Sequence, residues 1–138
     1  MILKSEGTFY VFRLRPEEDL KQSIVKVARA HRIQAGIVVT CVGSLTQYNL
    51  RFAHQQDGTS AKGYFEIVSC TGTVSEEAVH LHLAIADESG KTIGGHLLDG
   101  NIVYTTAEIC LAVLHDVVLH RELDAASGYR ELLVKKKP

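Results

Sequence analysis

Three histidines carry the spacing most suited to chemistry. His80 and His82 stand two apart in the alternating run VHLHLAIA, and His96 follows a Gly-Gly pair in TIGGHL. Side chains two apart on a strand share a face, so His80 and His82 can aim two nitrogens at one point without distorting the backbone. The cluster DESG, residues 87 to 90, is a turn signal that folds residues 91 to 98 back alongside them. Gly94 and Gly95 remove side-chain bulk just before His96, which permits close backbone approach and makes it the natural third ligand. Neutral imidazoles without thiolates suit Zn²⁺ or another divalent transition metal, and three of them leave a position open for water or substrate. Such a water is acidified to a pKa of roughly 7 and becomes a nucleophile. The competing interpretation is three polar residues bonded to backbone or facing a partner, and spacing alone favours neither.

Glu108, in YTTAEICL, is a candidate fourth ligand or general acid/base, because a carboxylate in an apolar segment is costly without a partner. A surface glutamate on a strand is the commoner case. His115 and His120 have no spacing to a further ligand, His31 fits a helix end, and His54 lies in a polar loop. Arg51 and Glu66 sit inside strand-like runs, where cross-strand ion pairs or interface contacts account for them. No Ser-His-Asp arrangement and no Gly-rich phosphate loop can be read.

These residues depend on the elements that carry them. Residues 1 to 14 read as an opening strand ending at Arg15-Pro16. A helix over residues 17 to 31 follows, with Pro16 suited to its first position, acids at its start, bases at its end, and Leu20, Ile24, Val27 and Ala28 on one face. Residues 36 to 45 form a nearly continuous apolar strand, and residues 47 to 53 alternate as another. A polar loop, HQQDGTSAKG, separates these from YFEIVSC. After the histidine strand come residues 91 to 98 and NIVYT, an antiparallel meander. Residues 107 to 120 satisfy helix and strand periods in part, and Val113, Val117 and Val118 tip them to strand. Residues 124 to 128 form a turn into a final strand, YRELLV. The sum is an α+β fold with mostly antiparallel strands in a twisted sheet and one long helix.

Composition sets the outer bounds. At 138 residues, with 46% hydrophobic and 22% charged, the chain reads as one globular domain spanning residues 1 to 138. Fifteen Lys plus Arg against 16 Asp plus Glu leave no charge footprint for wrapping a polyanion. Cys41, Cys70 and Cys110 are odd in number, lack a C-x-x-C spacing and sit among apolar residues, as reduced buried thiols do. No apolar run approaches the roughly 20 residues of a membrane span, so a soluble cytoplasmic protein is expected.

Taken together, Gly43-Ser44-Leu45 with Leu50-Arg51, Phe65-Glu66-Ile67 before Thr71-Gly72, HLHLAIAD, Gly94-Gly95-His96-Leu97 and TTAE at residues 105 to 108 resemble the plants-and-prokaryotes-conserved (PPC) domain family. The resemblance runs from FRLRPEEDL to GYREL. It implies an α+β fold assembled as a homotrimer, and in prokaryotic-type members a metal, zinc first, held by histidines matching His80, His82 and His96. Family members are also associated with DNA, but the AT-hook core Arg-Gly-Arg-Pro that reads it in plant proteins does not occur here. The plant partner-recruiting segment Gly-Arg-Phe-Glu-Ile-Leu corresponds to GYFEIV, with Tyr64 for the arginine and Val68 for the leucine.

The leading expectation is a homotrimer with a three-histidine zinc site serving a hydrolytic or lyase-like reaction on a small molecule, with Glu108 as proton carrier. The alternative is a regulatory module that binds DNA or a protein without chemistry. A cupin-like barrel ranks last, because of the helix and the wrong spacing to an acid after His82.

Overall fold

The computed structural model describes residues 2 to 138; Met1, within the expected opening strand, lies outside them. Eight strands and one helix follow in the order β1 (Gly7–Leu14), α1 (Leu20–Ala30), β2 (Gly36–Arg51), β3 (Thr59–Val74), β4 (Val79–Ala86), β5 (Thr92–Leu97), β6 (Ile102–Leu114), β7 (Val117–Leu123) and β8 (Arg130–Lys136). The sheet order is β1-β6-β2-β3-β4-β5, and β7 and β8 form a separate hairpin. Every pairing in the sheet is antiparallel.

One extra pairing sets the geometry of the site. The far end of β2 returns to β5, with Leu50 opposite Leu97 and Arg51 opposite His96. Strands β2, β3, β4 and β5 therefore curl into a closed ring at one end, and the register shifts between Leu45 and Gln47 are where β2 bends into it. The two strands expected over residues 36 to 45 and 47 to 53 are one 16-residue strand, because an irregularity of this kind bends a strand without ending it. Likewise the polar run expected as a loop begins pairing at Thr59, where Leu50 supplies its partner.

The helix is shorter than expected. It has 11 residues and starts at Leu20, since Asp19 takes an extended conformation as N-cap and accepts a hydrogen bond from the Gln22 N–H at 2.9 Å. Pro16 and Glu17 lie in the preceding turn, with Glu17 in the left-handed region at φ 70°. The expected apolar face does turn inward: Leu20, Ile24 and Ala28 are fully buried, and Val27 packs against the same core. The segment 107 to 120 is extended, as the valines suggested, but it breaks at His115-Asp116 between β6 and β7.

Two polar devices fix the turn that follows β5. Asp19 accepts a second bond, from the Gly100 N–H at 2.6 Å, tying the helix start to that turn. Asn101 is fully buried, donates to the carbonyls of Asn49 and Leu98 at 2.9 and 2.7 Å, and accepts from the Asn49 N–H at 3.0 Å. Such a buried side chain is stable only when its bonds are complete, and these bonds lock β5 to the end of β2.

Candidate metal centre

Alternation on β4 sends Leu81, Leu83 and Ile85 into the core, each at most 1% exposed, and leaves His80 and His82 on the other face. On β5, His96 stands directly opposite His82, so the tight return delivers the third ring to the same face. Gly72 holds β4 close at this point: it pairs with Leu81, has φ 139°, and a Cβ there would collide with the His80 carbonyl oxygen. Gly95 does the same for β5, where a Cβ would lie 2.7 Å from the Arg51 carbonyl oxygen.

The three rings gather with centroid separations of 5.1, 5.1 and 5.7 Å. One nitrogen from each lies within 4.8 Å of the others. A tetrahedral ion at about 2.0–2.1 Å from each nitrogen requires them about 3.4 Å apart, so small ring rotations close the set around one ion. The donor chemistry fits as well. Burial first, then Arg51 and the two neighbouring rings, push His96 down to about 4. Burial, Arg121 and His82 lower His80, against an opposing effect of Glu131. At neutral pH His80 and His96 are therefore neutral, the state in which an imidazole can ligate a metal.

Around the histidines lies an open cleft of about 930 Å³, walled by Arg51, the Phe52–Gln56 segment, the Gly94-Gly95 pair and Tyr129. His54, placed by sequence in a polar loop, is in this wall at φ 58°. Arg121, from β7, donates to the Nδ1 of His80 and to the Thr73 hydroxyl, each at 3.1 Å. A guanidinium only donates, so that Nδ1 is the acceptor and the proton of the neutral ring sits on Nε2.

Glu108 is not brought to the histidines within the chain. It is exposed on β6, opposite Arg13 of β1 and Val42 of β2. Val42 precedes Arg51 by nine positions on β2, a path of roughly 30 Å at about 3.3 Å per residue. The remaining histidines are accounted for elsewhere: His31 meets the Tyr10 ring edge, His115 bonds the Thr8 hydroxyl, and His120 bonds Glu77. The sequence reading explained Arg51 by a cross-strand ion pair or an interface contact, and missed Arg121 and Tyr129. No local spacing links β7 and β8 to the histidines, because the contact is made only by tertiary packing.

An antiparallel sheet curled at one end, with a histidine trio on its outer face, defines the class. The sequence from residue 1 to 115 matches the Plants and Prokaryotes Conserved (PCC) domain, and the chain belongs to that family. Two proteins from Synechococcus strains named bifunctional protein GlmU are 45% and 44% identical to it over 127 and 126 residues, covering 92% and 91% of the chain. The chain spans only 20% of the length of these curated relatives. A hypothetical protein from Salmonella cholerae-suis superposes with TM-score 0.97 at 34% identity, over 99% of both chains. Two structures at 20% identity share the fold. One is a proposed DNA-binding protein from Bacteroides thetaiotaomicron, with TM-score 0.80 over 94% of both chains. The other is a metal-containing protein from Archaeoglobus fulgidus, with TM-score 0.78 over 96% of this chain and 99% of that one.

Proposed function

We propose that His80, His82 and His96 hold Zn²⁺ or another divalent transition metal, and that the chain presents this ion to a small molecule in the adjoining cleft. The observation that carries the reading is the convergence of three imidazoles from two paired strands, with one nitrogen of each within 4.8 Å of the others. The Archaeoglobus neighbour, described as metal-containing, lends support. When bound, such an ion supplies Lewis acidity and an acidified water, which suits a hydrolytic or lyase-like reaction. The chain's own contribution is to fix the ring orientations through the β4–β5 pairing.

Self-association as a homotrimer belongs to the same proposal. Phe9, Val11, Val42, Tyr64 and Val68, from β1, β2 and β3, are each more than half exposed. Apolar residues concentrated on one sheet are a favourable contact surface. Glu108 lies among them, so a proton-carrying role for it requires the histidine group of a second copy. The regulatory DNA-binding alternative draws on the Bacteroides neighbour's name, and ranks second because the chain's charge is nearly balanced.

Elemental analysis of protein purified without chelator, together with its mass by light scattering, tests the proposal. One transition ion per wild-type chain, its absence from His82→Ala, and three times the chain mass are expected. Equal metal content in His82→Ala would refute the ligand assignment, and a monomeric mass would refute the trimer. A mobility-shift titration with competitor DNA should give no shift at moderate salt.

A further inference from the structure

The hairpin β7–β8 lies wholly beyond the segment that matches the family, residues 1 to 115, yet it packs against the histidine cleft. Its strands pair with each other rather than with the main sheet, and it is held by a small satellite core in which Val117, Leu119 and Val134 meet Ala35. From this hairpin Arg121 and Tyr129 line a pocket adjoining the cleft, together with Arg51 of β2, His80 and His96. Among the described residues neither Arg51 nor Arg121 has a carboxylate within ion-pair distance. The one acid on this wall, Glu131, is exposed and does not bind either of them.

Two half-buried guanidiniums without an ion-pair partner, on a pocket shared with His80 and His96, make it a place for negative charge. We propose that the terminal hairpin completes the histidine site as a receptor for a small oxyanion, a carboxylate or phosphate group, held between Arg51 and Arg121. This rests on the metal reading for the identity of its neighbour, and it names the chemical class of ligand that the metal site would receive.

The Arg121–His80 contact adds a coupling. Arg121 donates to the Nδ1 lone pair at 3.1 Å. An ion on Nδ1 takes that lone pair, and an ion on Nε2 moves the proton to Nδ1, setting donor against donor. Either nitrogen gives the same result: metal loading releases Arg121 N–H groups, which an incoming oxyanion can accept. Metal and oxyanion should therefore bind cooperatively, with Arg121 as the positioning residue that links them.

The test uses malonate and inorganic phosphate as probes, titrated calorimetrically into the full chain, both Co²⁺-loaded and chelator-treated. The visible absorption of the bound Co²⁺ is followed in parallel. The wild-type chain should bind at least one probe, more tightly when loaded, with a change in the Co²⁺ bands. A response to malonate alone assigns a carboxylate ligand, and a response to phosphate alone assigns a phosphate ligand. Arg51→Gln and Arg121→Gln should keep one Co²⁺ per chain while weakening the probe by about tenfold or more, the loss expected for a hydrogen bond to a charged group. Binding of neither probe in either arm, or variants within twofold of wild type, would overturn the inference. Failure of the wild-type chain to take up Co²⁺ would overturn the metal reading. Arginine-dependent binding in the chelator-treated arm would then still sustain the oxyanion site.

Discussion

Gly95→Ala tests whether the return of β5 sets the metal site. Gly95 has no positive φ, so alanine meets no backbone penalty and the effect is steric. The new Cβ would lie 2.7 Å from the Arg51 carbonyl oxygen and 3.2 Å from its carbon, both backbone atoms in the strand opposite. Relief requires β5 to retreat by about 0.5 Å, beyond the roughly ±0.2 Å within which metal–ligand distances are held. Because β5 is paired with β4 on its other side, such a shift displaces His96 relative to His80 and His82, with which it must share one ion. We expect metal affinity to fall about 10- to 100-fold, or about 1.4–2.7 kcal/mol, measured by competition with a chromophoric chelator. Gly90→Ala is the control: it has open space around it at φ 81°, so it should cost stability through backbone strain while leaving affinity within about twofold. Wild-type affinity in Gly95→Ala, or an equal loss in Gly90→Ala, would refute the steric argument.

Three further outcomes follow from the same structure. Asn101→Ala removes three buried hydrogen bonds and leaves the Asn49 N–H without its acceptor, so roughly 3–4 kcal/mol should be lost in urea unfolding; a loss below about 1 kcal/mol would show that the turn is held otherwise. The folded chain holds His96 near 4 against an ordinary 6.5, so below pH 6.5 the unfolded chain binds more protons at this residue. The stabilisation is full above about 6.5 and is lost as pH falls towards about 4, so the unfolding midpoint of metal-free protein should drop across that window; the drop should shrink in His96→Gln. Burial pushes the Cys41 and Cys70 thiols up to about 12, so a thiol reagent should leave both unmodified until the chain unfolds, and labelling of either in the native state would contradict their burial.

The parts of the site legible in sequence were those written in a local period. The period-two alternation of VHLHLAIA placed His80 and His82 on one face, and the DESG turn with Gly94-Gly95 placed His96 opposite them, as the His82–His96 pairing bears out. The helix stripe was equally local, whereas its start was misjudged because Asp19 competes with Pro16 as the stop for the preceding turn and wins by capping Gln22. What pattern reading missed depends on distant contacts. The β2–β5 closure joins residues about 45 positions apart, and Arg121 meets His80 across 41 positions. Glu108 illustrates the converse: its apolar sequence neighbours left both a role beside the site and a surface position open, and alternation on β6 turns Ala107 and Ile109 inward and the glutamate outward.

The most direct test is the X-ray absorption spectrum of the zinc-loaded chain at the metal edge. The account predicts three imidazole nitrogens at about 2.0–2.1 Å and one further light-atom ligand. A sulfur shell at about 2.3 Å, or fewer than three imidazoles, would contradict it.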